Sequence, residues 1–405
     1  MIVAMPVQTL TERGPAETKS STREFRVLLN ALSARLGGGQ TYVRNLLEFL
    51  PDEIHVEIFV LAPELLLLPT HRKNIRRIVM RAPVDNPIAR AAWERIYLPK
   101  LIRQINADVL FCPGGIIGAR VPESCKSVTM FRNMIPFDPV QGRRFPLGYM
   151  RARHWILKKV LLRSMKQADL VIFISEYAKW VIEQHAGGPL RRTAIIPHGV
   201  SPPFRNTENE ISERPAWLPP GEYLLYVSNV DFYKAQVEVV QAYALLKQRR
   251  MTPEKLVFVG TESPEYGRKV RTEIRRLALE NDVLIKGQVP IREMPAVYQH
   301  ALLNIFASQC ENCPNILLEA LAAGRPVVVS NCQPMPEFAG DAAIYFDPRS
   351  PDQIADRLSE VLGDPCRMKE LSERALERSR MYDWQTTSNR TWNAIASLSR
   401  DSKLT

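Results

Sequence analysis

Residues 301–330 read ALLNIFASQCENCPNILLEALAAGRPVVVS. The first eight are apolar around an Ile-Phe centre, the composition of a buried strand. Pro314 suits the first turn of a helix, where its missing N–H costs nothing. Residues 315–323 carry a helical pattern, and Gly324 suits the position just past a helix end. PVVVS at 326–330 is again a buried strand. Near-continuous apolar strands separated by a helix indicate a parallel sheet covered on both faces.

The same alternation runs outward from this unit in both directions. Upstream lie candidate strands at 222–228, 255–260 and 282–287, and downstream one at 342–346. Before them, residues 201–221, SPPFRNTENEISERPAWLPPG, carry no strand or helix period and read as a linker. Beyond that linker the alternation appears again, with strands at 25–30, 54–60, 108–111, 127–131, 169–174 and 193–197. The expected organisation is a flexible tail over 1–24, a first domain over 25–200, the linker, and a second domain over 222–380. A last helix within 381–405 packs back on the first domain. The fold class is α/β: two doubly wound, Rossmann-like domains facing across a cleft, with the ligand beyond the carboxyl ends of the strands.

Composition narrows the class. Of 405 residues, 45% are hydrophobic and 24% charged, as in a globular protein, and no apolar run is long enough to span a bilayer. The net charge of +11 points to an anionic partner. Six scattered cysteines and no secretory pattern read as reduced thiols in a cytoplasm. Cys310 and Cys313 form the one close pair, without the second pair or the histidines that a zinc site needs. No metal is expected.

What remains in the opening stretch is its glutamates. Glu311 lies in the loop at the strand's carboxyl end, and Glu319 lies on the helix. The free backbone N–H groups between Cys313 and Ile316, flanking Pro314, make a natural anion site, aided by the helix dipole. A phosphate cradle flanked by two carboxylates suits a nucleotide sugar, because a carboxylate accepts well from vicinal hydroxyls. In the first domain, Gly37, Gly38 and Gly39 follow strand one and allow close approach of a ligand to the backbone. Neither a dinucleotide glycine pattern nor a Walker loop is present.

ENCPNILLEALAAGRPVVVS, followed by PEFAGDAAIYFDP, resembles the carboxyl-terminal domain of the retaining glycosyltransferases of family four, or group 1. That resemblance implies the GT-B fold and matches the family's E-x7-E motif to Glu311 and Glu319. It implies that Glu319 binds the nucleotide ribose and that Glu311 is catalytic, near the donor sugar. In YVSNVDFYKAQ (226–236) the family often has Gly-Arg and then Lys, both reaching the donor diphosphate. Here Ser228 and Asn229 replace Gly-Arg, while Lys234 remains to neutralise the leaving diphosphate. Asn229, Pro314, Asn315 and Ile316 fall in the implied nucleotide-sugar site, and Val289 in the loop that holds the base. The glycine turn and Arg132 face the donor phosphate or the acceptor. Relatives often have His-Asp where this chain has Arg132-Asn133, and Arg132 cannot act as a base. His198, where many relatives have Asn, is expected to be structural. No Asp-x-Asp occurs, in agreement with a metal-independent enzyme and no cofactor.

Residues 143–166 carry eight basic residues and no acidic one. On a helical projection Arg151, Lys158, Lys159 and Arg163 share an arc with Trp155, a pattern that suits an anionic membrane surface. Nucleic acid is not an expected partner, since no recognisable module is present. The expected function is transfer of a hexose, from GDP-mannose or a UDP-hexose, to a glycan or lipid-linked glycan in polysaccharide or lipopolysaccharide assembly. The enzyme would be cytoplasmic and peripheral at the inner face of the membrane. The alternatives are a catalytically weak scaffold of the same fold or a sugar-nucleotide epimerase.

Overall fold

The computed structural model describes residues 25–35, 37–80, 82–83, 85–145, 148–205, 212–250 and 254–401. The expected tail over 1–24 lies outside the described residues, as does part of the linker. The first sheet contains β1 (Phe25–Asn30), β2 (Val56–Leu61), β3 (Ile75–Arg77), β4 (Val109–Cys112), β5 (Lys126–Phe131), β6 (Leu170–Phe173) and β7 (Thr193–Ile195). Its spatial order is β3-β2-β1-β4-β5-β6-β7, and each observed pairing is parallel. The second sheet contains β8 (Tyr223–Val227), β9 (Lys255–Val259), β10 (Val283–Gly287), β11 (Leu303–Phe306), β12 (Val327–Ser330) and β13 (Ile344–Phe346). It runs β10-β9-β8-β11-β12-β13, again parallel. Strand β3 had no counterpart among the expected strands. Its Ile-Arg-Arg sequence is polar, because an edge strand leaves one side open to solvent.

The helices are α1 (Gly38–Glu48), α2 (Pro87–Ile105), α3 (Pro139–Arg144), α4 (Tyr149–Gln167) and α5 (Glu176–Ala186) in the first half. The second half contributes α6 (Gln236–Arg250), α7 (Pro264–Arg276), α8 (Met294–Gln299), α9 (Asn315–Ala322), α10 (Met335–Ala339), α11 (Pro351–Leu362), α12 (Pro365–Ser379) and α13 (Trp384–Asp401). Both sheets reverse direction at their first strand, between β1 and β4 and between β8 and β11. Such reversals open the crevice in which doubly wound sheets bind ligands.

One large apolar core surrounds the second sheet, and three smaller clusters surround the first. The closing helix α13 crosses to the first of these: Trp384, Trp392, Ile395 and Leu398 are buried with Tyr42, Leu46 and Leu47 of α1. The Trp392 indole and the Ser388 hydroxyl both donate to the Leu46 carbonyl, at 3.0 and 2.9 Å.

The chain therefore passes between the halves twice, and the two passages lie side by side. Val200 pairs with Asp383, and the Val200 N–H donates to the Tyr382 carbonyl at 3.0 Å. Gly199 makes this approach possible, since a Cβ there would stand 2.3 Å from the Asp383 carbonyl carbon and the Trp384 nitrogen. Gly199→Ala should cost about 1–3 kcal/mol by forcing the passages apart. Urea unfolding with an unchanged slope and a lower midpoint is the expected result.

Candidate functional site

The loops that follow β8 and β11 meet at the second sheet's reversal, and each contributes a charge. Lys234 is nearly buried at the end of the β8 loop, where Tyr226 donates to its carbonyl at 2.5 Å. Its ammonium donates to the Glu311 carboxylate and lies over the rings of Tyr233 and Phe306. The side chains of this pair are 7% and 16% exposed. A pair this dry is held by mutual attraction and loses heavily if one partner is removed. Lys234 and Glu311, expected on the diphosphate and the sugar, thus begin by neutralising each other.

Asn229 and Ser228 lie in the same loop but are turned to its framework. The Thr261 hydroxyl donates to the Asn229 side chain at 2.8 Å, and the Gln236 amide donates to the Ser228 hydroxyl at 2.8 Å. Gly260 lets the loop settle here, as a Cβ would meet the Ser228 carbonyl oxygen at 2.0 Å. Val289 is buried just beyond β10.

Helix α9 starts at Asn315 with Pro314 as its N-cap, and Gly324 follows its end at φ 66°. The Asn315 N–H is occupied by the Cys313 carbonyl at 3.0 Å, while Leu318 makes the first helical bond, to Pro314. The Ile316 and Leu317 N–H groups precede that bond, so the anion cradle shifts one residue into the helix from the expected one. Glu319 lies one turn along, and the buried Tyr298 hydroxyl donates to its carboxylate at 3.1 Å. Burial pushes the Glu319 carboxyl up to about 7, against which the Tyr298 hydrogen bond acts only weakly.

The first domain presents its own reversal point to the same place. Gly37, the N-cap of α1 at φ 61°, takes a conformation that glycine adopts without strain. A Cβ at Gly38 would lie 3.4 Å from the Arg132 guanidinium and 3.5 Å from the Asn315 side-chain amide. At Gly39 it would lie 3.5 Å from Arg132. The glycine turn, the end of β5 and the start of α9 therefore converge. Arg132 also lies over the Tyr42 ring, at 5.5 Å.

Of the residues that hold the halves in this relation, sequence reasoning missed Asn312 and Glu337 and named His198 as structural without its partner. Asn312 donates to the Phe131 carbonyl at 3.1 Å and its oxygen meets the Ser175 hydroxyl at 3.3 Å. Glu337 accepts the backbone N–H groups of Glu176 and Tyr177, at 2.7 and 3.0 Å, at the start of α5. His198 bonds Asn315 at 3.0 Å between the rings of Tyr42 and Trp384. Burial holds its imidazole near 3, so it is neutral and its Nδ1–H is the donor. No local pattern announces these contacts, whose partners lie more than 100 residues away. Cys310 and Cys313 are free thiols whose acidity burial suppresses, Cys313 up to about 12. That suits packing rather than thiolate chemistry.

Helix α4 divides the expected membrane residues. Trp155 is 62% exposed, Lys159 lies over its ring, and Arg163 is exposed beside Ile156 and Val160. Arg151 and Lys158 do not share that face. Arg151 donates to the carbonyls of Phe145 and Arg143, at 2.7 and 2.6 Å, and Lys158 lies over Phe137. The arc expected from the sequence straddles the boundary between the open and packed sides, because Leu161, Ser164 and Met165 set the buried face. No helix among the described residues is long and apolar enough to cross a membrane.

Two family models account for most of the chain: residues 36–203 match Glycosyltransferase Family 4, and residues 207–378 match Glycosyl transferases group 1. The chain belongs to this family of glycosyltransferases. Its fold is GT-B. The sucrose-phosphate synthase of Thermosynechococcus elongatus superposes on it with a TM-score of 0.74 at 16% identity, covering 93% of this chain and 100% of that one. The O-antigen chain mannosyltransferase B of Escherichia coli is 25% identical over 66% of this chain and 70% of its own length. A GDP-mannose-dependent alpha-(1-6)-phosphatidylinositol monomannoside mannosyltransferase of Mycobacterium tuberculosis is 28% identical over 52% and 56%. Other relatives are longer, and this chain spans about a third of their length.

Two outcomes follow for the site. Lys234→Met should cost about 3–5 kcal/mol of stability by stranding Glu311, and the double variant with Glu311→Gln should cost less than the two singles summed. Denaturant midpoints measure both. The raised carboxyl of Glu319 favours the unliganded fold below its ordinary value near 4.5, and that contribution is lost as pH rises through about 7. If a nucleotide's ribose hydroxyls donate to this carboxylate, as the resemblance implies, they favour its ionised form. Nucleotide affinity should therefore rise from pH 6 to pH 8, by up to roughly tenfold. Titration calorimetry should show this slope flattened in Glu319→Gln.

Proposed function

We propose that this glycosyltransferase moves a hexose from a nucleoside diphosphate to a hydroxyl of a growing glycan, with retention at the transferred carbon. The observation that carries the reading is the meeting of Lys234, Glu311 and the first turn of α9 at the β8/β11 reversal. A cation and a helix N-terminus answer a diphosphate, and carboxylates at either side answer the hydroxyls of sugar and ribose. Glu319 would accept from the ribose, Glu311 would orient the sugar once the donor draws Lys234 to its phosphates, and the acceptor would enter over Gly37, Gly38 and Gly39. The leaving phosphate would take the acceptor's proton, so the reaction asks for no protein base and no cofactor. The protein's own cations would meet the diphosphate charge without a metal.

Mannose is the sugar that the names of the two relatives support, and GDP the carrier named by one of them; a UDP-hexose is the second choice. The glycan is a polysaccharide or lipid-linked acceptor at the inner face of the cytoplasmic membrane. The outer face of α4, with Trp155, Ile156, Lys159, Val160 and Arg163, would rest on anionic headgroups.

A thermal-shift panel with GDP, UDP, ADP and TDP, on the wild type and Glu319→Ala, tests the donor. One diphosphate should stabilise the wild type and fail to stabilise the variant. A chelator should leave that shift unchanged, and incubation with the matching nucleotide sugar and a glycan acceptor should release the diphosphate. Stabilisation without turnover would favour the scaffold, a reading that the internal Lys234–Glu311 pair also supports. An isomerised nucleotide sugar without transfer would favour the epimerase.

A further inference from the structure

The second domain is short of one cation. Ser228 and Asn229 stand where the resemblance leads one to expect Gly-Arg, and both are committed to Gln236 and Thr261. Lys234 is paired with Glu311. Arg144, the next basic residue at the seam, donates to the Phe232 carbonyl and the Gln309 side chain, at 2.9 Å each. His198 is neutral.

Arg132 is different. It projects from the end of β5, on the first domain, into the junction of the glycine turn and α9. Among the described residues no carboxylate stands within ion-pair distance of it; the titratable groups beside it are the Tyr42 hydroxyl, the Cys313 thiol and the His198 imidazole, all neutral at ordinary pH. Burial also holds its pKa below the ordinary arginine value. A half-buried guanidinium without an anion is costly to keep and strong once an anion arrives. The Gly38 and Gly39 backbone leaves room beside it, and Asn315 and α9 form the opposite wall.

We propose that Arg132 is the second cation of the diphosphate clamp, reaching the donor's terminal phosphate from the first domain in place of the arginine that the second domain lacks. This rests on the donor reading above. As the bond between the sugar's anomeric carbon and the phosphate oxygen breaks, that oxygen gains negative charge opposite Arg132. The acceptor oxygen bonds to the same carbon, and its proton leaves with the diphosphate. Because Lys234 and α9 belong to one domain and Arg132 to the other, the diphosphate ties the two domains together. A nucleoside monophosphate keeps the ribose contact at Glu319 and lacks the phosphate that Arg132 would hold.

The test compares Arg132→Met and Arg132→Lys with the wild type in the full chain, titrating GDP, GMP, UDP and UMP by calorimetry. For the preferred base, Arg132→Met should lose about 10–100-fold in diphosphate affinity. Its monophosphate affinity should stay within roughly twofold of the wild type, since the lost bond is to the absent phosphate. Arg132→Lys should recover part of the loss, as a point charge without the fork. Thermal unfolding without nucleotide should be no lower in Arg132→Met, because the variant removes an unpaired buried charge. Equal losses for mono- and diphosphate, or an unchanged diphosphate affinity with a raised KM for the acceptor, would overturn the clamp and leave the donor reading standing. A wild type that binds none of the four overturns the donor reading and the clamp with it.

Discussion

A parallel sheet sends every loop that follows a strand to the same edge, and the remaining features of this protein depend on that constraint. Each domain reverses its strand order at its first strand, so each has one crevice at that edge. Two such edges facing each other bring the loop after β1, the end of β5, the loop after β8 and the loop after β11 into one space. No side chain needs to travel far: a Cβ at Gly38 would lie within van der Waals reach of both Arg132 and Asn315, although the three positions span about 280 residues of the chain.

The electrostatics of that space follow from its dryness. Lys234 and Glu311 satisfy each other because neither can stay charged alone at such low exposure. Glu319, which accepts from the Tyr298 hydroxyl, keeps its proton to about neutral pH instead. Arg132 cannot give up its proton and has no carboxylate within ion-pair distance among the described residues; its guanidinium lies over the Tyr42 ring. The unliganded cleft is arranged around charges that a polyphosphate with hydroxyl groups would complete.

The relation between the domains is held by polar contacts beside a small apolar seam, where Cys310 and Tyr233 pack into the first domain's Phe131–Phe173 cluster. Asn312 and Glu337 occupy backbone groups at the end of β5 and the start of α5, and His198 carries Asn315 on a ring stack that includes α13. The Asn312 and His198 contacts are buried, where a polar group left unpaired is costly, so they hold the halves together firmly. The paired passages at Val200 and Asp383 add a backbone contact where the chain crosses between the halves, with Gly199 keeping them close.

The sequence by itself determined the two doubly wound sheets, the strand–loop–helix that carries Glu311 and Glu319, and the glycine turn. Each of these is written in local periodicity and in residues with a single backbone use, such as Pro314 before a helix and Gly324 after it. Edge strand β3 escaped notice because its residues are half solvated and lack the apolar run. Tertiary structure alone decided which charges meet. That Lys234 faces Glu311 and that His198 holds Asn315 follow from strand order, not from spacing. So does the turning of Arg151 and Lys158 away from the open face of α4: a helical projection gives the angle between residues, but only the packed neighbours say which angle is buried.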